Sequence, residues 1–160
     1  MDNTVTVTLR DVVESDLTVF FQHQQDSVAQ QMAAFTAEDP SNWVAFQNHW
    51  SRILADEGIM TQSILLDQEV VGHVGTFEQL GEQEITYWIA REHWNNGIAT
   101  AALSQFLPRI PTRPLHARTA KDNIASRRVL EKCGFAITGK DHGFANARQA
   151  ETEEFIFTLV

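Results

Sequence analysis

Residues Gln83 to Pro108 read QEITYWIAREHWNNGIATAALSQFLP, and this stretch decides the fold. Ile85, Thr86, Tyr87, Trp88 and Ile89 are β-branched or aromatic, residue types that suit a pleated, buried surface, so the stretch opens as a strand. A polar elbow follows, Arg91-Glu92-His93-Trp94-Asn95-Asn96-Gly97. Ile98, Ala101, Ala102 and Phe106 then recur at helical spacing, and Pro108 helps to end the helix. The unit is strand, tight turn, helix. A helix start carries unpaired backbone N–H groups and the positive end of the macrodipole. A glycine there lets a phosphate approach the backbone. Asn95, Asn96, Gly97, Ile98, Ala99 and Thr100 therefore form a candidate pyrophosphate cradle, or else an ordinary connection. The run matches neither G-x-x-x-x-G-K-[ST] nor G-x-G-x-x-G with a suitably spaced acidic residue.

The chain has 160 residues, which fits one domain over 1–160 with a real hydrophobic core. Hydrophobic residues make up 43% and charged residues 21%, ordinary values for a globular protein. The net charge of -9 argues against nucleic acid as a partner, because a phosphate-backbone binder carries a basic face. It is compatible with a neutral or cationic substrate. No apolar run approaches the roughly 20 residues needed to span a bilayer, and Met1-Asp2-Asn3-Thr4 does not open a signal peptide. Cys133 is the only cysteine, so intrachain disulfides are excluded and a reducing cytoplasm is the expected location. His23, His49, His73, His93, His116 and His142 form no i,i+4 pair and have no cysteine partner, so no metal site is expected.

Outward from the central unit, Val5, Val7 and Leu9 alternate in a first strand over Thr4 to Leu9. Ser15 is placed to cap a helix that buries Leu17, Phe20 and Phe21. Val28, Met32 and Phe35 continue at helical spacing after a break near Asp26-Ser27. Asp39-Pro40 reads as N-cap and first residue of a helix carrying Trp43, Phe46 and Trp50, ended by Gly58. Ile59 to Leu66 and Val70 to Phe77 read as a hairpin, with Gly72 and Gly75 marking a bend or a close neighbouring backbone. Past Pro108, Leu115 to Thr119 is a short strand. Asp122 or Asn123 caps the next helix, and Gly134 ends it with Phe135 as its hydrophobic contact. Phe135 to Gly139 and Phe155 to Val160 are the last strands, with Lys140 to Glu154 expected as a long polar loop. The order predicts an α+β fold with a mixed sheet flanked by helices.

Two long segments then carry a resemblance. Tyr87-Trp88-Ile89-Ala90-Arg91-Glu92-His93-Trp94-Asn95-Asn96-Gly97-Ile98-Ala99-Thr100 resembles the pattern Y-W-[IL]-x-P-x-[YF]-W-G-x-G-[IY]-[AG]-T. Asn123-Ile124-Ala125-Ser126-Arg127-Arg128-Val129-Leu130-Glu131-Lys132-Cys133-Gly134-Phe135 resembles N-x-A-S-x-x-V-L-E-K-x-G-F. Both patterns belong to the GNAT superfamily of acyl-CoA N-acetyltransferases, in the branch that includes ribosomal-protein N-terminal acetyltransferases. Leu9-Arg10 ahead of an acidic helix start also fits. Arg91 replaces the common Pro, and Asn95 stands where the branch has Gly. Asn is the non-glycine residue that most readily accepts unusual turn geometry.

The resemblance implies a mostly antiparallel sheet splayed at its centre, with acetyl-CoA as cosubstrate. Tyr87 and Ile89 would pair with the pantetheine arm through free backbone groups, and Asn95 to Thr100 would hold the pyrophosphate. The acceptor would be a primary amine, a small molecule or a protein N-terminus, attacking the thioester directly. Many relatives protonate the leaving thiolate from a Tyr on the second-signature helix. Leu130 occupies that position here. The resemblance then implies Ser126 as the thiol-side donor, or a hydroxyl that only stabilises its helix start. Asn123 would bond the pantetheine or substrate, or act as an N-cap. Glu84 is the candidate base for the amine proton, or a solvated strand-end glutamate. Trp43, Phe46 and Trp50 are core residues or line the acceptor site. His142, Phe144, Asn146 and Arg148 are the remaining acceptor-side candidates. Cys133 reads as a small buried hydrophobe rather than a nucleophile. Members of this branch are frequently homodimers. A non-catalytic acyl-CoA-binding sensor or subunit remains the competing reading.

Overall fold

The computed structural model describes residues 6–160; Thr4 and Val5 of the expected first strand lie outside them. Seven strands form one sheet in the order β1-β2-β3-β4-β5-β7-β6. They are β1 (Thr8–Asp11), β2 (Thr61–Leu66), β3 (Glu69–Gln79), β4 (Glu82–Ile89), β5 (Leu115–Ala120), β6 (Ala136–Ala145) and β7 (Ala150–Leu159). Five α-helices flank it: α1 (Asp16–His23), α2 (Ser27–Ala33), α3 (Trp43–Ala55), α4 (Ile98–Phe106) and α5 (Ile124–Lys132). Every strand pairing is antiparallel except β4 with β5. The mixed, helix-flanked α+β sheet is the one expected from the element order.

The alternation of side chains along each strand divides the core in two. On one face, Ile85 and Ile89 of β4 and Phe157 of β7 bury against Ile98, Leu103 and Phe106 of α4 and Leu130 of α5. On the other, Leu17 and Phe20 of α1 pack with Phe46 and Trp50 of α3. Trp43, Phe46 and Trp50 are therefore core. Phe20 and Trp50 also enclose His73, ring centroids 4.6 and 5.1 Å away. Burial there pulls its imidazole down to about 3, so it stays neutral.

β3 runs close under β4, as Gly72 anticipated. A Cβ at Gly72 would come within 2.1 Å of the Trp88 carbonyl oxygen. That oxygen is backbone and cannot rotate away. Gly72→Ala should therefore destabilise the protein by about 2 kcal/mol, read as a lowered urea midpoint. An unchanged midpoint would mean that the Trp88 carbonyl yields to the added methyl group.

Three helix boundaries differ from expectation. Ser15 makes no side-chain capping bond. Its neighbour Asp16 is buried instead, accepting from Arg10 at 2.7 and 3.0 Å, from Ser63 Oγ at 2.7 Å and from Val13 N–H at 3.0 Å. Burial opposes its charge, but those donors outweigh it and hold the carboxyl below its usual range. Asp39 turns the chain through Ser41, and Asn42 caps α3 by accepting from Ala45 N–H at 3.0 Å. α3 ends at Ala55, before Gly58. The expected break near Asp26 is present, with Asp26 capping α2.

The expected loop Lys140 to Glu154 is corrected to a hairpin. β6 continues to Ala145, a turn spans Asn146 to Gln149, and β7 begins at Ala150. β6 is the sheet edge and largely exposed. An edge strand with polar faces lacks the apolar alternation that marks a half-buried one.

Candidate functional site

β4 and β5 meet at a single register pair, Glu84 with His116, and then part. The partners of an antiparallel ladder alternate between facing and turning away. Ala90 N–H donates to Val71 at 2.8 Å, in register with Gly72↔Ile89. The backbone groups of Trp88 and Thr86 therefore point to β3, while those of Tyr87 and Ile89 point into the gap. The carbonyl of Ile89 is already taken by Trp94 Nε1–H at 2.8 Å. Tyr87 is thus the strand residue best placed to pair with an incoming chain.

The gap is the mouth of a cleft of about 750 Å³ that passes between the two strands. At one end lies the turn before α4. Asn95 and Gly97 both adopt positive φ, +64° and +76°, so Asn95 accepts the geometry its position demands. The first backbone bond of α4 runs from Ala101 N–H to Gly97 C=O at 3.0 Å. The amides of Ile98, Ala99 and Thr100 precede that ladder and have no intrahelical partner. Asn95, Gly97, Ile98 and Ala99 line the cleft. Asn96 is exposed, and its side chain donates to His93 C=O at 3.4 Å. Thr100 is half-buried, and its carbonyl accepts weakly from Cys133 Sγ at 4.0 Å. Burial pushes the Cys133 thiol up, away from a nucleophile's range.

On the α4–α5 face of the gap, Tyr87 Oη and Ser126 Oγ lie 2.7 Å apart, and both residues line the cleft. Asn123 acts as the α5 N-cap. Its Oδ1 accepts from Ser126 N–H at 3.2 Å, and its Nδ2 donates to Met32 C=O at 3.4 Å. Both ends of the amide are thereby engaged.

On the opposite face stands Glu84, only 4% exposed. It is not the solvated strand-end carboxylate that sequence allowed. Burial pushes its pKa up, and Arg118 pulls it partly back. Arg118 Nε donates to Glu84 at 3.3 Å, and its Nη1 to Glu154 at 2.8 Å and Asp141 at 3.0 Å. Burial works against the guanidinium charge, but these carboxylates outweigh it and keep Arg118 protonated. Met32, Phe35 and Phe77 add apolar wall. Sequence reading missed Arg118 and Glu154. The available signal was an arginine between Ala117 and Thr119 in the short strand LHARTA, where a charge that becomes part-buried demands a partner.

Two of the hairpin candidates, Arg148 and Asn146, tie the hairpin to the rest of the fold. Arg148 forks onto Asp122 at 3.0 and 2.8 Å and donates to Gln31 C=O at 2.9 Å. Asn146 donates to Thr36 C=O at 2.8 Å. His142 and Phe144 are exposed, and none of the four lines the cleft. Among the described residues no three His, Cys, Asp or Glu side chains gather as they would around a metal, and no helix is long and apolar enough to cross a membrane.

A slot with free strand groups and a turn of unpartnered amides at its end suits an extended chain that terminates in a diphosphate. Comparison with known proteins points the same way. The family model described as an acetyltransferase (GNAT) domain matches residues 6–136. YdaF of Bacillus subtilis (strain 168), whose name provisionally assigns it as a ribosomal N-acetyltransferase, is 30% identical over 117 residues. That match covers 66% of this chain and 64% of the relative. Among solved structures, Mycobacterium smegmatis RimJ in complex with CoA-disulfide superposes with a TM-score of 0.80 at 22% identity, covering 97% of this chain and 82% of that one. A Sinorhizobium meliloti phosphinothricin acetyltransferase in complex with AcCoA gives 0.82 at 20%, covering 97% and 88%. Vibrio cholerae spermidine N-acetyltransferase in complex with CoA and spermine gives 0.78 at 18%, covering 96% and 94%.

Proposed function

Since the chain belongs to the GNAT acetyltransferase family, we propose that it transfers the acetyl group of acetyl-CoA directly to a primary amine. The observation that carries this reading is the cleft itself. The free backbone edge at Tyr87, the amides before α4, the Tyr87–Ser126 hydroxyl pair and the Glu84 carboxylate all lie along one cleft.

Tyr87 pairs with the pantetheine arm, and the amides from Asn95 to Thr100 meet the diphosphate. Ile89 contributes its remaining N–H. Acetyl-CoA supplies the activated acyl carbon. Ser126 faces the departing sulfur from the α5 side. Glu84 sits across the sheet, where an acceptor entering between α2 and β5 delivers its nitrogen, and takes the amine proton directly or through water. Asn123 acts through its cap, holding the first turn of α5 and so placing Ser126.

The acceptor is a protein N-terminus or a small amine. The excess of carboxylates over Arg118 at that mouth favours a cationic one. The single cysteine fits a reducing cytoplasm. Members of the branch it resembles are frequently homodimers, and the same assembly is proposed for this chain. The test is free-thiol release from acetyl-CoA with a panel of amines and N-terminal peptides. Amine-dependent release is expected. Tight CoA binding with no amine-dependent release across the panel would favour a non-catalytic acyl-CoA sensor.

A further inference from the structure

Tyr87 is the only tyrosine in the chain, and it is the β4 residue whose hydroxyl meets α5 at Ser126. We infer that Tyr87 is a positioning residue whose phenol donates to Ser126 Oγ, so that the serine hydroxyl hydrogen is directed at the sulfur leaving the thioester. This rests on the acetyl-transfer reading.

A serine hydroxyl rotates freely, and its hydrogen goes to whichever acceptor is available. Ser126 sits at the third position after the cap, where its hydroxyl could turn back onto the helix start. A donor at 2.7 Å occupies an Oγ lone pair and leaves the O–H to point elsewhere. The two orientations of this pair are not equivalent. With Tyr87 as acceptor, Ser126 would spend its only hydrogen on the phenol and face the sulfur with lone pairs. With Tyr87 as donor, Ser126 faces the sulfur with its hydrogen. Only the second orientation gains as charge grows on sulfur, and donation from behind strengthens it.

The phenol is suited to donate. Burial pushes its pKa up to about 12, so it keeps its hydrogen across the physiological range. Cys133 is the other titratable group beside it, and burial raises that thiol too. Leu130, at the position where relatives carry their tyrosine, is 1% exposed and belongs to the core. The helix supplies no phenol at Leu130, and the one beside Ser126 comes from strand β4. In the step itself the amine nitrogen forms the C–N bond and the C–S bond breaks. The electron pair goes to sulfur, where Ser126 O–H meets it. The nitrogen's proton leaves to Glu84 or water, and the thiolate takes its own proton from solvent. Tyr87 never ionises.

The experiment has two arms. In the first, the thiol of bound CoA is titrated by its thiolate absorbance in the wild type, Tyr87→Phe and Ser126→Ala. If the donors converge on sulfur, the bound thiol should titrate about one pH unit higher in each variant, the size of one hydrogen bond to a charged group. In the second, kcat should fall about tenfold in Tyr87→Phe with KM for acetyl-CoA unchanged. Tyr87→Phe/Ser126→Ala should be no slower than Ser126→Ala alone, because the two act as a unit. A bound-thiol titration that is unmoved in Tyr87→Phe overturns the inference. So do additive losses in the double variant, or a Tyr87→Phe defect confined to KM and melting temperature. If no amine elicits thiol release from the wild type, the acetyl-transfer reading falls, while the thiol titration still decides whether the hydroxyl pair addresses sulfur.

Discussion

Ala99→Asp should weaken CoA binding by about 100-fold while leaving the protein at least as stable as the wild type. The two halves of that result have one cause. Ala99 is the second residue of α4, half-buried in the cleft wall, and its amide precedes the intrahelical ladder. An Asp there faces the positive end of the helix macrodipole, which favours the fold by about 0.3–1 kcal/mol. The same carboxylate would occupy the donors that a diphosphate needs and would repel it. Like charges at about 4 Å with an effective dielectric of about 20 interact by roughly 4 kcal/mol. A net loss of about 2.7 kcal/mol corresponds to a factor of 100 in Kd. Ala99→Asn adds similar bulk without charge and should lose much less. Calorimetry with CoA and with pantetheine, which lacks the diphosphate, separates the causes. CoA affinity should collapse and pantetheine affinity should hold. Added salt should recover part of the CoA affinity through screening. Unchanged CoA affinity in Ala99→Asp would mean that no diphosphate sits at this turn.

That turn was legible in the sequence because everything it needs is local. Strand propensity, a glycine, an asparagine at the strained position and a helical stripe all lie within 26 consecutive residues, Gln83 to Pro108. The same holds for the α5 termini, where Asn123 and Gly134 stand at the ends expected of them. The cleft's chemistry was legible only in part. Tyr87 and Ser126 are 39 residues apart, and no periodicity announces that a strand and a helix start will bring two hydroxyls together. Glu84 and Arg118 are separated by 34 residues and meet because β4 and β5 touch at one register pair before diverging. The last two strands were legible over Phe135–Gly139 and Phe155–Val160, but their continuation into a β6–β7 hairpin was not. Residues 140–145 and 150–154 face solvent at most positions, so hydrophobic alternation fades where a strand still forms through backbone pairing. The first turn of α1 misled in a third way. Ser15 has the chemistry of a cap, but Asp16 beside it gains four donors by turning inward, and the larger electrostatic gain set the geometry.

Glu84→Gln should lower the acetylation rate at neutral pH by about 100-fold, the lower part of the range for a lost general base, with acetyl-CoA affinity nearly unchanged. The carboxylate lies on the face of β4 opposite Tyr87, so its removal leaves the cradle and the hydroxyl pair intact. The fold should also survive. Gln matches Glu in shape, and its carbonyl can still accept from Arg118 Nε. The pH dependence carries the sharper test. Burial raises the Glu84 pKa and Arg118 only partly offsets this, so the wild-type rate should climb with pH through a value above the ordinary glutamate range as the base form appears. The stability term runs the other way. A carboxyl whose folded pKa is raised stabilises the fold at low pH, and that contribution is lost as pH rises through the folded value. The wild type therefore gains activity over the window in which this term weakens the fold. Glu84→Gln should lose the acidic limb of the rate profile and this component of the stability profile together. A variant whose rate profile keeps the wild-type limb would show that Glu84 only anchors Arg118 and that water alone carries the proton away. A variant that lost CoA binding would show instead that the Glu84–Arg118–Glu154 cluster holds the β4–β5 gap open.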